Sequence, residues 1–272
     1  MLNVLKKIIR NVFMYLKQNI LLFYYTYFNI ITKNQNQNFK QIPIIILSFN
    51  QYFYLKQLVE FLLKNKYSNI IILDNNSTYV PLLAYLEEIK THVTLHKLKT
   101  NEGHMVFWKN KEIFDMYSKG YYVVTDSDIV PVENCPSDFL LHFKKILDSN
   151  YQISKVGFSL KIDDIPNANS NKQKIVDWES KFWQTLDKQG NYIAPIDTTF
   201  ALYKPNSYHI ANDFFYKAIR VKKPYLAVHG GWYIDTAHLN EEQSYYYKTA
   251  NSSSSWKTNE SGIVEKSLYN KK

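Results

Sequence analysis

From Pro43 onward, short apolar runs alternate with segments in which apolar residues recur every three or four positions. Residues 44–47 form a continuous apolar run, the pattern of a parallel strand covered on both faces. Leu55, Leu58, Val59, Leu62 and Leu63 then follow at helical spacing. A second run at 70–73 ends in Asp74-Asn75-Asn76-Ser77-Thr78, which is rich in turn and cap residues, before a helix around 82–89. The pattern predicts a third strand over 93–98 ending at Asn101, a helix over 105–117, and a fourth strand over 121–125 ending at Asp126-Ser127-Asp128. Strand starts near 44, 70, 93 and 121 keep the interval of successive strand–helix–strand units. The fold class this implies is α/β, an open and mostly parallel sheet flanked by helices.

After Pro131 the pattern loosens. It predicts a helix over 137–147, a strand over 155–162, a short helix carrying Trp178 to Trp183, and a strand over 196–203. From Asn240 the chain reads as a polar tail with little to bury. At the other end, residues 1–33 mix cations with apolar and aromatic side chains, and their longest charge-free stretch is 18–32. Fifteen helical residues span about 22 Å, short of a hydrocarbon core of about 30 Å, and no small-residue cleavage site follows. Such a helix suits an anionic membrane surface; the alternative is packing on the domain itself. The polar run 34–41 reads as a linker. The division is therefore 1–41 as membrane-associating helix and linker, 42–239 as the folded domain with halves 42–130 and 131–239, and 240–272 as tail.

Charge changes the picture only once it is mapped. The 272 residues carry a formal net charge of +9, but no Asp or Glu precedes Glu60, while seven Lys and Arg do. The folded part is close to neutral, which excludes a basic nucleic-acid-binding face. The single Cys135 excludes a disulfide framework and Cys-rich zinc sites, and suits the cytoplasm. With seven glycines, none spaced as GxGxxG or GxxxxGK[ST], neither a dinucleotide fingerprint nor a P-loop can be built. There is no GxSxG elbow or HExxH either.

Ligands of open α/β sheets bind beyond the carboxyl ends of the strands. Those ends carry Asn50, Asp74, Asn101 and the Asp126/Asp128 pair, so four strands aim polar groups at one rim. Two carboxylates at i and i+2 after a strand can sit around a hard divalent cation, Mn²⁺ or Mg²⁺, which shares its coordination with substrate phosphates. A solvated turn is the plainer reading of the same residues.

The run Ile-Pro-Ile-Ile-Ile-Leu-Ser-Phe-Asn ending at Asn50, then Leu-Asp-Asn-Asn-Ser-Thr from Leu73, then Thr-Asp-Ser-Asp ending at Asp128, resembles GT-A-fold glycosyltransferases of the family 2 type. In the second half, Lys-Val-Gly-Phe-Ser-Leu-Lys-Ile-Asp-Asp from Lys155, Ala-Pro-Ile-Asp-Thr-Thr-Phe-Ala-Leu-Tyr from Ala194 and His-Gly-Gly-Trp-Tyr-Ile-Asp from His229 resemble segments of bacterial members that build surface glycans or lipooligosaccharides. The resemblance covers about 43–235 and implies a nucleotide-sugar half followed by an acceptor half. It implies that Ser48 to Asn50 line a nucleotide pocket and that Asp74 meets the base or ribose. Asn101 would lie near the sugar or ribose, and Asp126 and Asp128 would hold a metal-bound diphosphate, with His229 as a further metal ligand. It also implies a lipid-linked or glycan acceptor at the inner membrane face.

Inverting transfer needs a carboxylate to take the acceptor hydroxyl proton. Asp197 ranks first, 69 residues beyond Asp128, with Glu179 and Asp164 as the other candidates. Trp178, Phe182, Trp183 and Trp232 could stack on sugar rings, or simply pack in the core. The Glu-Asp pair that often marks the base in this family is absent, as is QxxRW, so transfer of one sugar per encounter is expected. The alternatives are a nucleotidyltransferase acting on a sugar phosphate, and a non-catalytic carbohydrate- or nucleotide-binding protein at the membrane. Against the first, Ser48-Phe49-Asn50-Gln51-Tyr52 offers neither glycine nor cation to grip a triphosphate.

Overall fold

Alternation along the first two strands divides their side chains between two cores. In a computed structural model, which describes residues 2–208 and 213–251, β1 (Ile44–Ser48) pairs in parallel with β2 (Ile70–Asp74). Ile44, Ile46, Ile70 and Ile72 point into one apolar cluster, which α3 (Phe53–Lys64), α4 (Val80–Glu88) and α7 (Phe139–Ser149) complete. Ile45, Leu47, Ile71 and Leu73 point into the other, closed by α5 (Val106–Lys109) and α6 (Lys111–Tyr117). Both strands are buried throughout, as their unbroken apolar runs require.

The remaining strands are β3 (Thr94–Lys97), β4 (Tyr122–Asp126), β5 (Ile129–Pro131), β6 (Lys155–Leu160), β7 (Tyr192–Ile193), β8 (Ala201–Tyr203) and β9 (Ala218–His229). The sheet order is β3-β2-β1-β4-β8-β6-β9-β5, with β7 on β9. From β3 to β4 every pairing is parallel. Beyond β4 the sheet is mixed, because β8 runs antiparallel to both β4 and β6 while β6 and β9 are parallel. The helices α8 (Lys172–Glu179), α9 (Asp213–Tyr216) and α10 (Glu241–Thr249) belong to this second half.

Several local expectations are revised. The helix expected over 105–117 is two helices, because the Asn110 side chain accepts the Ile113 N–H at 3.1 Å and caps the second. The strand expected over 196–203 is only β8, since Thr198 bonds to Asp126 instead of joining a ladder. The first part of the expected polar tail is helix α10, opened by a capping box between Asn240 and Gln243; residues from 252 lie outside the described part.

The N-terminus forms α1 (Leu2–Tyr27) and α2 (Ile30–Gln37). The expected linker therefore begins as helix. Gln35 explains why: its buried amide donates to Tyr121 O at 2.8 Å and accepts from Tyr121 N at 2.8 Å, fixing α2 at the start of β4. Gly120 permits this approach, because a Cβ there would lie 2.5 Å from Gln35 Oε1. On α1 and into α2, by contrast, Ile9, Phe13, Leu16, Ile20, Phe23, Tyr27 and Ile30 are each more than half exposed and recur at alternating spacings of four and three. Among the described residues no helix is long and apolar enough to cross a membrane.

Candidate active site

Parallel strands deliver their last residues to one edge, and a cleft of about 450 Å³ opens there. Ser48 at the end of β1, Asn101 after β3, and Asp126, Ser127 and Asp128 after β4 all line it. Ser48 Oγ is buried and has no hydrogen-bond partner among the described residues. Asp74 and Asn50 do not reach the lining. Asp74 is buried and accepts the Ser77 N–H at 3.3 Å, and burial raises its carboxyl above the usual range. Asn75 lines the cleft beside it, holding Glu102 N and Gly103 O through its amide. Asn50 takes a left-handed backbone, φ 49°, and its side-chain oxygen accepts the Thr78 and Tyr79 N–H groups at 2.7 and 3.0 Å. It organises the loop after β2.

Asp126 is tied to the second half of the chain. Its Oδ2 accepts from Thr198 Oγ1 at 2.7 Å, and its N–H donates to Thr198 O at 2.9 Å. Burial and the neighbouring Asp128 carboxylate push its carboxyl well above the usual range, against the Thr198 bond. Asp128 is bound to the end of β9: its backbone oxygen accepts from Gly230 N at 2.7 Å and its Oδ2 from Gly231 N at 3.0 Å. Gly230 lies against the Tyr54 ring, where a Cβ would come within 2.2 Å.

His229 stacks flat on Trp232, ring centroids 4.6 Å apart at 7°, with Nδ1 3.3 Å from Asp128 Oδ2. That contact lacks hydrogen-bond geometry, so Nδ1 is a buried polar atom without a hydrogen-bond partner among the described residues. Two carboxylates and an imidazole at one edge of the cleft suit a divalent cation that draws its other ligands from water and phosphate. Among the described residues, however, no group of three or more His, Cys, Asp or Glu side chains is placed in this structure to hold a metal ion.

The three candidate bases separate. Asp197 lines the cleft and is exposed. Glu179 also lines it, but is buried and ion-paired to Arg220. Asp164 is outside the lining, on the surface, bonded to Lys161 and the Tyr233 hydroxyl. Trp178, Phe182 and Trp232 line the cleft, whereas Trp183 does not and packs on Tyr192 at 5.0 Å.

Sequence reasoning missed Thr198, Arg220 and the whole contribution of α10. Glu242 on α10 accepts the Phe53 N–H at 3.1 Å and so caps α3, whose own N-cap residue makes no side-chain cap. Tyr245 donates to Thr78 Oγ1 at 3.0 Å and Asn50 to Thr249 Oγ1 at 2.9 Å. These bonds lay α10 across the cleft edge, where Glu242, Tyr246 and Tyr247 join the lining. The Asn240-to-Gln243 spacing was the legible signal for this helix.

No protein-family model and no curated protein sequence matches the chain. Among solved structures it is similar to the mannosyltransferase PcManGT from Pyrobaculum calidifontis in complex with GDP-Man and Mn²⁺, with TM-score 0.43 and 14% identity over 76% of this chain and 60% of that one. It is also similar to S. aureus TarS 1–349, with TM-score 0.44 and 12% identity over 70% and 60%. A third is glucosyl-3-phosphoglycerate synthase from Mycobacterium tuberculosis in complex with phosphoglyceric acid, with TM-score 0.38 and 13% identity over 60% and 56%. The chain spans 60% or less of each of these three.

Proposed function

We propose that this protein is a metal-dependent glycosyltransferase that moves one sugar from a nucleotide-sugar, a UDP-sugar first, to a hydroxyl of a glycan or lipid-linked acceptor, with inversion. The observation that carries this reading is that Asp126, Asp128 and His229 share one cleft with Asp197. Among its described lining residues that cleft holds five carboxylates (Asp126, Asp128, Glu179, Asp197 and Glu242), no lysine, and one guanidinium that Glu179 already engages. A donor diphosphate entering there meets repulsion unless a cation offsets it. Asp126, Asp128 and His229 would hold Mn²⁺ or Mg²⁺, which when bound offsets charge on the departing nucleoside diphosphate. Thr198 keeps Asp126 in place. Asp197 takes the acceptor's proton as that oxygen bonds to the anomeric carbon and the carbon–diphosphate bond breaks.

Peripheral attachment to the anionic inner face of a membrane belongs to the same proposal, supported by the exposed apolar stripe of α1 and by the absence of acidic residues before Glu60. Flotation with phosphatidylglycerol vesicles should carry the protein up, and Phe13→Ser with Phe23→Ser should leave it below.

The test of the activity is to incubate the protein with UDP-, GDP- and CMP-sugars, with Mn²⁺ or EDTA, and to measure nucleotide release and melting temperature. One donor class should be turned over, and should stabilise the fold, only with metal. A ligand at a hundred times its dissociation constant adds about 2.7 kcal/mol. Pyrophosphate release from nucleoside triphosphate and sugar phosphate would instead show a nucleotidyltransferase.

A further inference from the structure

Residues 195–199 form no helix or strand, yet they carry Asp197 and Thr198. Their position is held from behind. Arg220, on β9, donates to Pro195 O through Nε at 3.0 Å and Nη2 at 2.9 Å, and through Nη1 to the Glu179 carboxylate. Its guanidinium carbon lies 4.3 Å from the centre of the Phe182 ring. Arg220 and Glu179 are 4% and 2% exposed, although both border the cleft. Further along, Tyr203 Oη donates to Asp197 O at 3.4 Å and receives a bond from Lys155 Nζ at 3.3 Å.

We propose that the Glu179–Arg220 pair is a clamp that positions Asp197, so that Glu179 is a positioning residue rather than a second base and Arg220 holds the protein's own loop rather than a phosphate. This rests on the glycosyl-transfer reading of the cleft. Three N–H groups of the guanidinium are committed to protein oxygens in a planar fork that a lysine cannot reproduce. The carboxylate opposite is the charge that makes burial of the guanidinium tolerable, since an unpaired buried ion is strongly unfavourable. Burial raises the Glu179 carboxyl to about 7, and the Arg220 guanidinium opposes the rise.

The experiment compares Arg220→Lys, Glu179→Gln and Asp197→Asn in the full-length protein, using nucleotide release from the donor found above and hydrogen exchange at one reporter. The reporter is the Asp126 amide, which bonds to Thr198 O at 2.9 Å and so senses whether the loop stays in place. The Asn75 amide, bonded to Ser48 O at 2.8 Å, is the control. Arg220→Lys should lower kcat about 100-fold with donor KM changed less than about threefold. It should also speed exchange at Asp126 about tenfold and leave Asn75 unchanged. Glu179→Gln keeps an oxygen for Arg220 but removes the charge opposite it, so it should lower the melting temperature and lose no more kcat than the about 100-fold of Arg220→Lys, against about 1,000-fold for Asp197→Asn. Glu179→Gln as inactive as Asp197→Asn would make Glu179 the base and overturn the clamp. A raised KM with intact kcat in Arg220→Lys would make Arg220 a substrate ligand and overturn it equally. Should Arg220→Lys fail to fold, Phe182→Leu removes the ring beneath the guanidinium and must give the same pattern at about three- to tenfold; no change would refute the proposal. If wild-type protein turns over no donor, the glycosyl-transfer reading fails by itself. Exchange at Asp126 then decides the clamp, and unchanged exchange in Arg220→Lys refutes it.

Discussion

Between Ile44 and Asp126 each new strand joins β1 or a neighbour of β1 in parallel, and the chain advances by one strand and one or two helices at a time. From Ile129 onward sheet neighbours are distant in sequence: β8 enters beside β4 with Tyr122 opposite Tyr203, and β9 runs back to pair His229 with Ile129. The first half brings its polar residues to the cleft edge by backbone geometry, since a parallel strand's carboxyl end lies at that edge. The second half places its chemistry by side-chain ties, of Thr198 to Asp126, Arg220 to Pro195, and the Asp128 carboxylate to Gly231 N. Polar groups at a strand end are therefore legible locally. Those on an irregular loop depend on partners that no short window of sequence contains.

The sharpest break between the halves is functional. Asp128→Asn should abolish Mn²⁺-dependent nucleotide release, by about 1,000-fold or more, and also the metal-dependent rise in melting temperature. Asp197→Asn should lower transfer by about 1,000-fold while keeping that rise intact. If both variants lose donor stabilisation, the division between a donor side and an acceptor side is wrong.

A smaller effect tests how the parallel half is braced. Asn50→Gly accepts the left-handed backbone but removes the oxygen that holds the Thr78 and Tyr79 N–H groups. Urea unfolding should show a loss of about 2 kcal/mol. A loss near zero would mean that water or α10 replaces those bonds.

The smallest effect belongs to the second half and depends on pH. Lys155 is buried among Tyr203, Phe215 and Tyr216. Its ammonium is pushed from 10.5 down to about 7 by burial, with Asp197 opposing and Arg220 adding to the shift. Between those values the folded protein binds fewer protons than the unfolded chain, so this group's contribution to stability rises with pH across that window. Lys155→Met should therefore raise the melting temperature by a few degrees at pH 7 or below, and the gain should fade toward pH 10. A gain independent of pH would assign the effect to packing instead.

The expectations that matched were those resting on periodicity. Continuous apolar runs became β1 and β2, and helical spacing became α3. Of the rim residues Asn50, Asp74, Asn101, Asp126 and Asp128, the structure places the last three in the cleft lining. Asp74 and Asn50 share the strand-end position yet turn into the protein, because each satisfies backbone N–H groups of the loop after β2. Strand-end position brings a residue to the rim, but hydrogen bonding decides which way its side chain faces. Composition misled at 240–249, where a segment with no buried residue is nevertheless a capped helix against the cleft.

What the amino-acid order determined by itself is the layered α/β core, because alternation and helical spacing act over a few residues and admit one arrangement of buried faces. Tertiary structure alone decided which carboxylates share the cleft. By sequence, Asp197 leads Glu179 and Asp164 only through its spacing from Asp128. Their fates diverge because Arg220 and the Tyr233 hydroxyl reach two of them from distant points in the chain, leaving Asp197 open to the cleft.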